Sequence, residues 1–251
     1  MSGHSIRWPD APRPFGGVGD REVLVLAFSL DQDAPVQAAC AGTLSAEERA
    51  RAESFHFPAG RAHYTIGRGV TRFVLADLLG VLPGELRFAY GPQGKPELAG
   101  GADPAGWHFN LSHSAHLALL AVTRLAPVGV DVEQLRPVSD QGAIARRFFS
   151  PAEHAALRAL PPADQTAGFF NLWTRKEAWL KATGVGITGG LDQVEVSLAL
   201  AEPARLLRLF GDVAAAQTWT LTALDPAPGF TGALALPVPH ATPRCHRWPG
   251  L

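Results

Sequence analysis

One pattern is written twice along the chain, at an interval of about 104 residues. Ser45 and Glu48 open the stretch LSAEERARAESF with the spacing of a capping box. In such a box the serine and glutamate side chains each take a backbone N–H left free at a helix start. Ser150 and Glu153 repeat it 105 residues on, in FSPAEHAALRAL. Each box precedes a longer run of helical period: GRAHYTIGRGVTRFVLADLLG in the first half, DQTAGFFNLWTRKEAWLKATGVG in the second, the latter with Asp164 as its expected N-cap. These runs stop at Gly-Val pairs 104 residues apart, Gly80-Val81 and Gly184-Val185. Glycine ends helices readily because it adopts the left-handed conformation without penalty. A strand pattern follows each stop, ELRFAYG and LDQVEVSLAL. Helix-helix-strand is a common succession, but here caps, stops and spacing agree together. The chain is expected to fold as two similar α/β subdomains in a pseudo-twofold arrangement, with a ligand-binding cleft between them.

The rest of the sequence sets bounds. With 251 residues, 47% of them hydrophobic, the chain has material for one large domain or two small ones. A net charge of −1 gives no global attraction to nucleic acid or anionic membrane. Cys40 and Cys245 make neither a disulfide framework nor a CxxC zinc pair, and read as inert thiols of a cytoplasmic protein. The opening MSGHSIRWPDAPRPFGG lacks the apolar region of a signal peptide, and no run approaches the roughly 18 apolar residues of a membrane helix. EVLVLAFSL (Glu22 to Leu30) reads as a buried strand. Between the two repeats, GWHFNLSHSAHLALLAVTRLAPVGVDVEQL reads as a strand (Trp107 to Asn110), a polar turn, a strand (Leu117 to Thr123) and an acidic strand. TWTLTAL and GALALPV add strands near the end, and PVPHATPRCHRWPGL is expected to be an irregular tail. The fold class is α+β, with subdomains at 1–125 and 126–251.

The chemistry gathers in three places. In GVDVEQL, Val128, Val130 and Val132 alternate with Gly129, Asp131 and Glu133. Strand side chains two apart share a face, so one face is apolar and the other carries two carboxylates side by side. Either these are ordinary acids on a solvated face, or a cation offsets their repulsion. On the second long helix Trp173, Glu177 and Lys181 recur at a spacing of four and share a face, with Lys176 adjacent. Three carboxylates and little else suit a hard cation such as Mg2+, which takes oxygen ligands and typically bridges phosphates. The polar turn expected at FNLSHS offers Ser112 and His113 to a phosphate, or makes only the usual turn hydrogen bonds. Arg61, His63, Arg68 and Arg72 form a basic stripe on the first long helix, and Lys95 follows GPQG. That stripe either faces solvent or binds an anion.

With these residues in view, the sequence resembles the 4′-phosphopantetheinyl transferases, specifically the larger two-lobed type that activates surfactin-like peptide synthetases. Gly129-Val130-Asp131-Val132-Glu133 matches the family's G-[IV]-D-[IV]-E, and WTRKEAWLKATG (Trp173 to Gly184) matches W-x-x-K-E-A-x-x-K-x-x-G without a break. FNLSHS matches F-N-[IL]-S-H-S, and GKPEL and ARRFFSPAE are also similar to family stretches. The resemblance covers about Leu44 to Ser197. It implies two α/β lobes with the active site between them. It also implies a reaction, in which coenzyme A donates its 4′-phosphopantetheine arm to a serine hydroxyl of an acyl or peptidyl carrier protein and 3′,5′-ADP leaves.

On that resemblance Asp131, Glu133 and Glu177 hold Mg2+ against the diphosphate, and Lys181 neutralises charge on the phosphates. Glu177, or a water it orients, takes the serine proton. Ser112 and His113 meet the coenzyme A phosphates. Arg61, His63 and Arg68 take the 3′-phosphate side, with Arg49 and Arg51 as rivals. Lys95 and Pro96 take the adenine end, and Lys176 joins the coenzyme A set. A carrier-docking surface is expected near the second lobe around IARRFFSPAE, where Arg146 and Arg147 either attract an acidic carrier helix or face solvent. A monomer suffices, with no nucleic acid or membrane partner. Two other functions use the same acids: a Mg-dependent hydrolase of coenzyme A or nucleotides, and a non-catalytic binder of coenzyme A or carrier protein.

Overall fold

The computed structural model describes residues 6–12, 14–99, 106–185, 190–198 and 203–251. Its elements run β1 (Glu22–Ser29), α1 (Ala34–Thr43), α2 (Ala46–Glu53), α3 (Pro58–Leu79), β2 (Phe88–Tyr90), β3 (Pro96–Leu98), β4 (His108–Ser114), β5 (Leu117–Thr123) and β6 (Gly129–Gln134). Then come α4 (Gln141–Phe148), α5 (Pro151–Ala159), α6 (Pro162–Thr183), β7 (Val194–Val196), β8 (Leu206–Leu209), α7 (Val213–Gln217), β9 (Thr220–Leu224), β10 (Phe230–Leu236) and β11 (Thr242–Arg247). The class is α+β, as expected. Among the described residues no helix is long and apolar enough to cross a membrane.

The repeat seen in the sequence is physical. Both capping boxes form: Ser45 accepts from the Glu48 N–H and Ser150 from the Glu153 N–H, and each glutamate caps its serine's N–H in return. Such caps stabilise a helix by about 1 kcal/mol each. The long helices α3 and α6 each have 22 residues, begin with proline in the first turn and end at a left-handed glycine, Gly80 and Gly184. Proline at the helix start displaces the expected Asp164 cap of α6, which begins two residues earlier. The expected strand LDQVEVSLAL is confined to Val194–Val196 after a 3₁₀ turn at Leu191–Gln193, and its residues 199 and 200 lie outside the described residues.

Two sheets lie between the long helices. One has the order β11-β1-β5-β4 and the other β6-β10-β9. Alternation along the strands assigns each side chain to a layer. Leu24, Leu26 and Phe28 of β1 pack with Ile66, Val70 and Val74 of α3. Val23, Val25 and Ala27 turn the other way, into a central core with Val130 and Val132 of β6 and Leu234 and Leu236 of β10. Ala233 and Ala235 of β10 face α6, with Phe170, Ala178 and Leu180. The order of layers is therefore α3, first sheet, second sheet, α6.

Two sequence expectations are corrected. FNLSHS is not a turn: it lies within β4, paired antiparallel to β5 with Ser112 opposite Leu119, and the reversal comes after it, at Ala115 and His116. The C-terminal segment is not an irregular tail. Thr242–Arg247 forms β11 and pairs in parallel with β1, Val25 opposite Cys245. A division at 125/126 does not account for this strand, which returns to the sheet of the first half. Helix α1 was also not anticipated; Asp33 caps it by accepting from the Val36 N–H.

Candidate active site

The site lies where the two sheets meet edge to edge. β4 ends one sheet and β6 ends the other, and no backbone ladder joins them. Side chains of β4 make the join instead. The Val130 N–H donates to Asn110 Oδ1 at 2.9 Å, Ser112 Oγ donates to Asp131 Oδ1 at 2.8 Å, and Ser114 Oγ donates to Glu133 Oε2 at 2.7 Å. Ser114 Oγ also accepts from the Gln134 N–H at 3.2 Å. Asn110, Ser112 and Ser114 are alternate residues of one strand, so their side chains form a row along this seam.

The apolar face of β6 points into the central core, so Gly129, Asp131 and Glu133 point toward α6. Gly129 is needed there. A Cβ at this position would fall 2.0 Å from the Ala178 carbonyl oxygen and 2.4 Å from the Ala182 nitrogen, so strand and helix touch backbone to backbone. From α6, Lys181 reaches back to the strand, its Nζ 2.6 Å from Asp131 Oδ1 and 2.9 Å from Ser112 Oγ. Asp131 is only 4% exposed, which rules out the solvated-face reading of the acidic strand. Its Oδ2 is buried with no hydrogen-bond partner. An unpaired buried carboxylate oxygen is costly and points to a missing cationic or donor partner.

Glu177 and Lys181 line a cleft of about 270 Å³ with Gln93, Lys95, Pro96 and Asn110. Burial raises the Glu177 pKa, and the negative charges of Asp131 and Glu133 add to the rise while Lys181 opposes it. Burial likewise raises Asp131, against the pull of Lys181 and Ser112. Glu133 is half-buried and also pairs with Arg136, 3.2 Å away. Among the described residues no group of three or more His, Cys, Asp or Glu side chains is already drawn together around one point. The donor set nevertheless fits a hard cation. It offers carboxylates that sense one another's charge, one with an orphaned oxygen, and the positive charge now facing Asp131 is the Lys181 ammonium.

The other expected site residues are distributed unevenly. His113 shares β4 with Ser112 but points to the opposite face, as neighbours on a strand must. Partial desolvation, with the nearby positive charges of His63 and Lys181, lowers its pKa. His63 contacts Asp31 at 3.0 Å. Arg61 is exposed in the first turn of α3, with no ion-pair partner among the described residues. Arg68 sits 3.3 Å from Glu48 and covers the Phe88 ring at 5.1 Å, so much of its charge is already matched. Arg72 is not part of any exposed stripe: it is 1% exposed and bound to Glu48 at 2.7 Å. Of the rivals, Arg49 donates to the Leu44 carbonyl and Arg51 lies over Phe55.

Lys176 requires a correction. It is adjacent to Glu177 in sequence but faces the other side of α6, fully buried, with Nζ 2.7 Å from Glu153 Oε2 and 2.6 Å from the carbonyl oxygens of Leu191 and Val194. Successive helical residues diverge by about 100°, so the Lys-Glu pair of the motif serves two different sites. Lys95 lines the cleft with its stem, but its ammonium turns onto the carbonyls of Val128 and Lys181, at 3.0 and 2.6 Å. Sequence reading missed Asn110 and Ser114 as seam residues. The signal was the polar alternation at 110, 112 and 114, which indicates one face of a strand.

Comparison with known proteins identifies the family. Residues 127–229 match the model of the 4′-phosphopantetheinyl transferase superfamily, and residues 34–125 match that of the N-terminal part of 4′-phosphopantetheinyl transferases. The chain is 43% identical over 215 residues to the 4′-phosphopantetheinyl transferase HetI of Nostoc sp. (strain PCC 7120), covering 86% of this chain and 87% of that one. It is 32% identical over 155 residues to the 4′-phosphopantetheinyl transferase Sfp of Bacillus subtilis (strain 168), covering 62% and 66%. To the 4′-phosphopantetheinyl transferase AcpT of Salmonella typhimurium it is 39% identical over 144 residues, covering 57% and 70%. With both halves matched and HetI aligned along most of its length, the chain belongs to the 4′-phosphopantetheinyl transferases.

Proposed function

We propose that this protein transfers the 4′-phosphopantetheine arm of coenzyme A to a serine hydroxyl of an apo carrier protein, releasing 3′,5′-ADP. The observation that carries the reading is the meeting of Asp131, Ser112 and Lys181 beside a cleft lined by Glu177. In the reaction the serine oxygen bonds to the β-phosphorus of coenzyme A. The bond from that phosphorus to the oxygen bridging to the α-phosphate breaks, and the serine proton passes to Glu177 or to a water it orients. The raised Glu177 pKa suits a group that must accept a proton. Lys181, hydrogen-bonded at the seam, is positioned to neutralise charge on the phosphate oxygens.

Asp131, Glu133 and Glu177 would hold Mg2+, whose chemistry when bound is to draw charge from the diphosphate. In this reading Ser112 contacts the phosphates on the Asp131 and Lys181 side, His113 meets phosphate from the other face of β4, near His63, and Arg61 and His63 lie toward the 3′-phosphate. Pro96 and the stem of Lys95 wall the adenine end. Both sides of the cleft come from one chain, which supports a monomer as the working unit.

The test is to incubate the protein with coenzyme A, Mg2+ and an apo carrier protein and to weigh the carrier. A phosphopantetheine-sized mass gain, lost on chelation and restored by Mg2+, is expected. Coenzyme A breakdown without carrier modification would mark a hydrolase, and binding without turnover a simple binder.

A further inference from the structure

β6 presents an unladdered edge to the first half of the chain, and the groups along it are taken by side chains. Asn110 takes the Val130 N–H and Ser114 the Gln134 N–H. At the start of the edge, Lys95 takes the Val128 carbonyl at 3.0 Å. Lys95 differs from the other two in touching the helix as well, its Nζ 2.6 Å from the Lys181 carbonyl oxygen. That carbonyl belongs to the last turn of α6, where backbone oxygens run out of intrahelical donors. The Gly184 N–H closes on Leu180, one residue earlier, at 2.8 Å. An ammonium at this end both fills an open acceptor and matches the negative pole of the helix. It acts beside Gly129, where strand and helix backbones already touch.

We propose that Lys95 is a positioning residue for phosphopantetheinyl transfer: reaching from the β2–β3 loop, it ties the strand bearing Asp131 and Glu133 to the helix bearing Glu177 and Lys181. The inference rests on the transferase reading and replaces a direct ionic role for this lysine on coenzyme A. Two of the three N–H bonds of the ammonium point at carbonyls, and one of these carbonyls is that of Lys181 itself. The Lys181 side chain is thereby held from two directions, through its own backbone by Lys95 and through its ammonium by Asp131. Burial also lowers the Lys95 pKa, in keeping with an enclosed ammonium rather than one open to the cleft solvent. The consequence is a division of labour across the molecule: a side chain of the first half sets the geometry of a reactive pair that lies wholly in the second.

The experiment compares wild type with Lys95→Met and Lys95→Arg in three measurements: kcat, KM for coenzyme A, and hydrogen exchange of the amides in the last turn of α6. Misplacing a reactive group by about 1 Å costs on the order of a hundredfold in rate. Lys95→Met is therefore expected to lower kcat roughly ten- to hundredfold. Its KM should change little, and exchange at the end of α6 should quicken. Lys95→Arg, which can still donate to two carbonyls, should recover part of the rate. A raised KM with kcat preserved would overturn the inference and make Lys95 a coenzyme A ligand. Unchanged exchange would also overturn it. Absence of transfer by wild type would sink the transferase reading instead, while the exchange comparison would still report on the tie.

Discussion

Arg72 and Lys176 are counterparts, 104 residues apart on α3 and α6, and each is buried against the glutamate of the capping box that precedes its helix. The likeness extends to neutral partners. Arg72 also donates to the carbonyls of Pro83 and Leu86, and Lys176 to those of Leu191 and Val194. In both halves these carbonyls bracket the 3₁₀ turn that follows the long helix, Pro83–Glu85 and Leu191–Gln193. One buried cation thus joins a short helix, a long helix and the segment after it, and does so twice. The first half adds Arg68 on the free side of Glu48; in the second, Glu153 Oε1 accepts from the Val196 N–H instead.

This joint should govern stability, not coenzyme A affinity. Removing one member of a buried ion pair strands the other and typically costs about 3–5 kcal/mol. Lys176→Met is expected to lower unfolding free energy by roughly that amount in denaturant titration. Its KM for coenzyme A should match wild type wherever the variant remains folded. A selective rise in KM with unaltered stability would restore Lys176 to the substrate site.

Gly129→Ala should be severe. Its Cβ has no space against the backbone of α6, and overpacking of this kind costs about 1–3 kcal/mol or more. The expected outcome is a lower melting temperature together with loss of carrier modification, because the seam holding Asp131 must open. Gly42→Ala provides the contrast. It lies in α1 with nothing within 4 Å of the added carbon and should raise stability by about 0.5–1 kcal/mol.

His113 supplies a pH dependence. Its free-enzyme pKa is lowered by partial desolvation and by the positive neighbours His63 and Lys181. A phosphate beside it would favour the charged ring and raise the bound pKa. Affinity gained this way is complete below the free pKa and lost as pH rises through the bound one. Calorimetry of coenzyme A binding between about pH 6 and 7, in two buffers of different ionisation heat, should show net proton uptake. The uptake should fall in His113→Gln, and a variant whose uptake matches wild type would show that no phosphate lies at this ring.

Asp131→Ala should leave the fold intact and reduce carrier modification at least about a hundredfold, the scale seen when a fixed electrostatic contact to reacting groups is deleted. Circular dichroism and mass spectrometry of the carrier check the two halves of this expectation. An active variant would remove Asp131 from the chemistry.

Local signals were the legible part of this molecule. Capping boxes and glycine stops are short-range chemistry, so Ser45, Glu48, Gly80, Ser150, Glu153 and Gly184 announced both helical pairs. FNLSHS reads locally as a turn because Asn110, Ser112 and His113 are polar residues following a strand pattern. In the structure the partners of Asn110, Ser112 and Ser114 come from β6, about twenty residues away, and only the sheet arrangement reveals them. Lys176 shows a related effect: it neighbours Glu177 in the motif, but helical geometry turns it to the other side of α6, onto Glu153. Lys95 and β11 depend on contacts 86 and more than 200 residues apart, which no local pattern encodes.

The return of β11 to β1 has a consequence for synthesis. While the ribosome is making the second helical pair, the first sheet is still open along one border, with the β1 backbone lacking its parallel neighbour. The strand that closes it, Thr242–Arg247, emerges only after the second helical pair has been translated. Assembly of the earlier half therefore waits on Thr242–Arg247, and a deletion that removes this strand would leave that border without its neighbour.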